Sequence, residues 1–193
     1  ALPFVFDSTE HMRRAMDGEP GRQILADFAR RDLVGLAIYD SGVRCVYNVR
    51  RAIHAPQDLK GLKIRVPPSD IFIDIGRALG ANPTPLSFGE VYSSLQTHLI
   101  DGAENNIRSF HSSRQFEAAR YWSESEHSYA PDVLVMSKSR FDALSPDDRE
   151  RVRRLAAESV QVLRGLWDQG ASEARAKLLE QGVLMNSVDM PAF

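Results

Sequence analysis

Asp58–Asn106, DLKGLKIRVPPSDIFIDIGRALGANPTPLSFGEVYSSLQTHLIDGAENN, is the stretch whose reading decides the fold. Its runs LKIR (62–65), TPLS (84–87) and LIDGAE (99–104) have strand character. Between them, Ile71, Phe72, Ile75, Ala78 and Leu79 follow helical spacing after Ser69, and Gly80 closes that segment. Val91, Leu95 and Leu99 share one face of a second helix expected over 88–98. The order strand–helix–strand–helix–strand predicts a parallel sheet with right-handed crossovers. In such sheets ligands sit outside the carboxyl ends of the strands. The three runs end at or near Arg65, Phe88 and Asn105. A guanidinium can grip a carboxylate with two parallel hydrogen bonds. An aromatic ring can cover a carbon skeleton, and an amide can read hydroxyls. Together they point to a small acid with a polar body.

Outward from this stretch, 8–29 reads as helix with Thr9 as a fair N-cap, split near Gly18 and Pro20-Gly21. Leu33–Tyr39 and Val43–Val49 read as two short strands, and 109–121 as a helix. Asp132–Ser137 (DVLVMS) reads as a strand. Ser145-Pro146-Asp147-Asp148 is a strong helix start, with a cap, Pro at the first position and acids at the positive end of the dipole. Helix-compatible sequence continues to Glu180. A helix of that length, about 50 Å at 1.5 Å per residue, either kinks near Gly165 or Gly170 or runs from one lobe to another. Leu184–Val188 reads as a last strand.

The chain has 193 residues, 43% hydrophobic and 26% charged, with a formal net charge of -2. That is room for one or two ordinary globular domains, and it offers no basic field for nucleic acid or an anionic membrane. No apolar run reaches the roughly 18–20 residues of a membrane span, and no signal peptide is visible. The single cysteine, Cys45, excludes an internal disulfide and is expected to be inert and partly buried. The five histidines are scattered without metal-ligand spacing, so neither a metal nor a cofactor is expected. No nucleophile elbow, dinucleotide fingerprint or phosphate loop is present.

Each candidate residue has a structural reading beside the functional one. Arg65 fits a structural ion pair, and Asn105 and Asn106 fit turn chemistry. Phe88 fits a core position at a strand–helix junction, where the core is favoured. Arg44, with Asn48 beyond it, fits a basic residue on an edge strand. Arg149, Arg151, Arg153 and Arg154 read as a solvated helix face. Glu104 or Asp101 would serve as base in a rival reading, a small α/β enzyme acting on a sugar acid. A third reading is a ligand-sensing domain of a signalling protein.

Three motifs carry a resemblance. DLKGLKIRVP (58–67), ALGANPTPLSFGEVYSSLQT (78–97) and IDGAENN (100–106) closely resemble the DctP-type solute-binding proteins of TRAP transporters. LPFVFDSTEHMRRAMDGEPGRQIL (2–25) and HSYAPDVLVMSKSRFDALSPDDRERV (127–152) resemble other parts of the same family. The resemblance implies a two-lobed α/β clamp with mostly parallel sheets and a long interlobe helix. It implies a non-enzymatic, periplasmic protein that delivers an organic acid to a membrane permease. Arg65 is then implied to bind the substrate carboxylate, Asn105 to hydrogen-bond the ligand, Phe88 to pack on it and Arg44 to be a second basic contact. Glu104 is implied to be a neighbouring pocket residue. Asn106 stands where many members carry proline, and AENN followed by Ile107-Arg108-Ser109-Phe110 resembles members that take sugar acids such as hexuronates. Members run longer at both ends, so a first lobe (1–41 and 130–170) is expected to be incomplete. A second lobe (42–129 and 171–193) carries the ligand-binding motifs.

Overall fold

The computed structural model describes residues 3–193. Two compact units divide the chain. Unit 1 takes 43–129, 170–193 and the N-terminal residues up to Val5, and unit 2 takes 6–42 and 130–169.

In unit 1 the strands are β1 (Leu33–Asn48, whose second half lies here), β2 (Lys63–Val66), β3 (Asn82–Pro85), β4 (Gly102–Asn105), β5 (Tyr121–Ser137, first half) and β6 (Leu184–Ser187). Their order is β3-β2-β4-β1-β5-β6. β2 pairs in parallel with β3 and β4, and β5 with β6. This is the parallel arrangement expected of the 58–106 block. β1 runs antiparallel to β4, Cys45 opposite Asn105 and Tyr47 opposite Ala103. Arg44 therefore lies on an interior strand, not on an edge.

Each face of this sheet is buried under helix. Val46 and Ile64 pack under α3 (Asp70–Ala78) with Leu59, Leu79 and Ile75. Cys45, Tyr47 and Ala103 pack on the other face against Val91 and Leu95 of α4 (Val91–Gln96) and Phe110 of α5 (Ile107–Ser112). Trp122 completes that cluster, with its ring centroid 5.8 Å from Tyr47 and 5.0 Å from Phe110. Such aromatic pairs add about 0.5–1.5 kcal/mol beyond the area they bury. The Tyr47 hydroxyl is buried but satisfied, donating to the side-chain carbonyl of Gln115.

Unit 2 contains α1 (Thr9–Asp17), α2 (Glu19–Asp27) and α6 (Lys138–Asp142), with the remaining halves of β1 and β5. Ser8, not Thr9, caps α1, its side chain accepting from the His11 N–H. Charged groups tie α1 to β1 and to the final helix. Arg13 bridges Asp40 and Asp168, and Arg164 grips Asp17 with two bonds of 2.9 and 2.8 Å.

α7 (Pro146–Glu180) is one unbroken helix through Gly165 and Gly170, and it passes from unit 2 into unit 1. It starts where its cap chemistry predicts: Ser145 Oγ accepts from the Asp148 N–H at 3.1 Å and donates to the Asp148 carboxylate at 2.8 Å. Three further local expectations fail. The strands expected at 33–39 and 43–49 are one strand, because Gly42 takes a positive φ of 74° without breaking it. The helix expected over 109–121 stops at Ser112. Arg114 there adopts φ 58°, and Tyr121 already begins β5. The segment after Ser87 starts as a 3-10 turn (Phe88–Glu90), which leaves Phe88 46% exposed instead of in the core.

Candidate functional site

All six sequence-predicted residues lie in unit 1: Arg44 within β1, Arg65 near the end of β2, Phe88 after β3, Glu104 and Asn105 at the end of β4 and Asn106 just after it. Alternation along a strand sends successive side chains to opposite faces, and the register divides the set. Arg65 stands opposite Thr84 on β3 and Ala103 on β4, and Ala103 stands opposite Tyr47. Arg65, Ala103, Tyr47 and, one step further on β4, Asn105 therefore share a face. Arg44 and Glu104 project from the other face, beside Val46.

On the first face, Arg65 is only 4% exposed. Its Nε–H donates to the Leu86 carbonyl at 2.9 Å. Among the described residues no carboxylate lies within ion-pair distance of it. Burial pulls its guanidinium below the ordinary arginine value. Tyr47 and Glu104 act against that shift, and Arg44 adds to it. A buried cation without a carboxylate is an unfavourable arrangement that an anion would relieve. Asn105 is 7% exposed and accepts the Asn106 N–H at 2.8 Å. Asn106, 5% exposed, caps α5 through its side-chain oxygen, which accepts the Ser109 N–H at 2.8 Å.

On the second face the Arg44 guanidinium forks onto Glu104, Nε to Oε2 at 2.5 Å and Nη2 to Oε1 at 2.8 Å, with Phe72 of α3 against it at 5.3 Å. His127 faces the same carboxylate, Nε2 to Oε2 at 3.5 Å. Its Nδ1 lies 2.9 Å from Ser125 Oγ. Ser125 Oγ also accepts the Val46 N–H, which ties His127 to β1 through one hydroxyl. Burial would raise the Glu104 carboxyl, but His127 and the Arg44 fork outweigh it and hold the group below the usual carboxylate range. The apolar cavity beside Glu104, lined by Val46, Ile64, Phe72 and Leu79, measures about 20 Å³, room for roughly one water. Asp101, the other acid the enzyme reading would use, accepts from the Lys63 N–H and from Arg50, both at 2.9 Å. Both acids are thus engaged in structural contacts.

Sequence reasoning missed His127, Ser125 and Tyr47. The signal for the first two was Ser123-x-Ser125-x-His127, three polar side chains at strand period in a segment given no element. All three are buried at 2% exposure or less. Ser123 mirrors Ser125 by accepting the Ile53 N–H at 2.9 Å. Cys45 is fully buried, not partly, and burial pushes its thiol up to about 12. Of the arginines expected on a solvated face of α7, Arg149 instead donates to the carbonyls of Leu144 and Asp142, and Arg153 lies over the Phe141 ring. Among the described residues no cluster of side chains could hold a metal, and no helix is long and apolar enough to cross a membrane.

Unit 2 has a roomier cavity of about 480 Å³, lined by Leu25, Ala29, Leu33, Leu36 and Phe141. Of the charges at its rim, Arg22 pairs with Glu19 and Lys138 with Asp142, while Arg153 lies over the Phe141 ring. None of the predicted site residues lines it.

The family model of bacterial extracellular solute-binding protein, family 7, matches residues 1–192. A TRAP periplasmic solute-binding protein from Bradyrhizobium sp. BTAi1, crystallised with D-galacturonate, is 50% identical, with 97% of this chain and 63% of that one covered at a TM-score of 0.92. Its counterpart from Xanthobacter autotrophicus Py2, with bound β-D-galacturonate, is 46% identical over 98% of this chain and 63% of that chain, TM-score 0.94. The 2,3-diketo-L-gulonate-binding periplasmic protein YiaO of Escherichia coli K12 is 35% identical over the whole of this chain, which spans 59% of its length.

Proposed function

The chain belongs to the bacterial extracellular solute-binding proteins of family 7, and on that premise we propose that it is part of a periplasmic receptor that captures a hexuronate for a TRAP permease. The observation that carries the proposal is Arg65, a buried guanidinium at a strand end, held only by the Leu86 carbonyl and offered no carboxylate by the described residues. A ligand carboxylate would complete the pair. Asn105, on the same face, would supply a neighbouring hydrogen bond, and Phe88 an exposed ring for the sugar's carbon face. Arg44 projects from the other face of the sheet, where it is paired with Glu104, and so would not share this contact. The relatives crystallised with galacturonate support the choice of acid. The permease partner and the periplasmic setting rest on the family alone.

Calorimetric titration of the full-length protein with D-galacturonate, D-glucuronate, aldonates and C4 dicarboxylates tests the reading. A hexuronate should bind most tightly, and at a hundred times its Kd it should add about 2.7 kcal/mol to unfolding stability. Indifference to every sugar acid would overturn it. Uptake of the bound acid by vesicles carrying the cognate permease checks delivery.

A further inference from the structure

We propose that Asn106 is a positioning residue that locks the Asn105 amide with its nitrogen outward, so that the surface beside Arg65 offers hydrogen-bond donors only. The argument starts from backbone N–H groups, which cannot exchange donor for acceptor. The Ser109 N–H lies 2.8 Å from the Asn106 side chain, so the atom it meets must be the oxygen, Oδ1. The Asn106 N–H lies 2.8 Å from the Asn105 side chain, and that atom too must be Oδ1. Asn106 Nδ2 is then the atom 3.3 Å from Asn105 Oδ1, a second donor on the same oxygen. Both amides are oriented without choice, and Asn105 Oδ1 is doubly occupied.

What remains of Asn105 is Nδ2. It has no hydrogen-bond partner among the described residues, yet it is not among the sealed, unpartnered side-chain atoms, which are Ser128 Oγ and Arg164 Nε. Solvent, or a ligand, reaches it. Two residues before Asn105, on the same face, Ala103 stands opposite Arg65. The guanidinium has donors and no acceptor. The combined surface therefore reads acceptor oxygens, as in a carboxylate and the oxygens next to it. It refuses groups that only donate, such as an ammonium. The identity of the acid rests on the receptor reading above; the amide orientation does not.

The orientation is tested first without ligand, in full-length protein labelled with ¹⁵N-asparagine. The Asn106 side-chain amide should show one slowly exchanging proton, and both Asn105 amide protons should exchange near the solvent rate. In Asn106→Asp a carboxylate still caps Ser109 but cannot donate to Asn105. The residue-106 backbone N–H still holds Asn105 Oδ1, so the new carboxylate, set against that oxygen, should push the Asn105 side chain out of its place beside Arg65. In Asn106→Ser one hydroxyl can both accept from Ser109 and donate to Asn105, so the wild-type pattern should survive. In binding, Asn106→Asp should weaken hexuronate affinity about tenfold to a hundredfold with the unfolding temperature kept, and Asn106→Ser should stay within about threefold. If Asn106 merely capped its helix, Asp would serve as well as Asn and affinity would hold. Protected Asn105 protons in the ligand-free wild type, or equal losses in the two variants, overturn the proposal. If the exchange pattern is as expected and no hexuronate binds, the receptor reading fails while the orientation stands.

Discussion

Arg65 can be removed in two steps, and the structure sets different expectations for each. Arg65→Lys keeps the charge but loses the planar fork, so one of two charge-assisted bonds to a carboxylate goes. At about 1.5–3 kcal/mol per such bond, affinity should fall roughly 10- to 150-fold, since 1.4 kcal/mol is a factor of ten. Arg65→Met removes both bonds and leaves the incoming carboxylate facing a desolvated surface. Leaving one member of a buried pair alone costs about 3–5 kcal/mol, so binding should fall by about two to four orders of magnitude. Folding stability should behave differently. In the ligand-free protein Arg65 gives one hydrogen bond, to Leu86, worth about 0.5–1.5 kcal/mol net. Against that stands the burial of a guanidinium at 4% exposure with no carboxylate partner. These terms oppose each other, so Arg65→Met should change unfolding stability by no more than about 1 kcal/mol, in either direction. Isothermal titration and urea unfolding of the same full-length samples measure both quantities. A structural arginine would give the reverse pattern, with stability lost by several kcal/mol and affinity following it. That pattern, or an Arg65→Lys variant within threefold of wild-type affinity, would refute the reasoning.

Three further outcomes are expected. Glu104 has its carboxyl held below the ordinary value of 4.5, so its share of stability is present above that pH and is lost as pH falls through the folded value. Glu104→Gln leaves Arg44, its side chain 11% exposed, without its ion pair and should cost about 3–5 kcal/mol at pH 7. In urea titrations this gap should narrow as the pH is taken below 4.5, and a gap of constant size would contradict the role given to Glu104. Cys45, buried and shifted to about 12, should resist a thiol reagent at pH 8 until the protein unfolds. Fast labelling under native conditions would show that β1 opens locally. Gly102→Ala would set a methyl 2.3 Å from the Tyr47 carbonyl and 2.7 Å from Asn48 Cβ, against backbone that cannot step aside. A loss of about 1–3 kcal/mol or more is expected in thermal unfolding, and an unchanged midpoint would mean that β1 and β4 can separate at that row.

The 58–106 block was legible because its signals are local. Ser69 and Gly80 bracket a helix, prolines end β2, and hydrophobic period separates helix from strand, so topology followed from order alone. Around 109–121 the same logic failed, since nothing in the composition announces the left-handed turn at Arg114. The site was legible as a set of strand ends and illegible as a surface. Period two along GAEN already separates Ala103 and Asn105 from Gly102 and Glu104. Both faces are covered by helix, and which of them leaves its arginine without a carboxylate is decided only by packing. With α3 over Val46, Ile64 and Glu104, Arg44 finds its carboxylate inside the fold. Arg65, a comparable side chain on the next strand but one, finds none. The sequence treats these two arginines alike; the difference between a paired cation and one awaiting a partner comes from a one-residue difference in strand parity. The same parity places the oriented amide of Asn105 beside Arg65 and away from Arg44, so the donors that could meet an acid converge on a single face of unit 1.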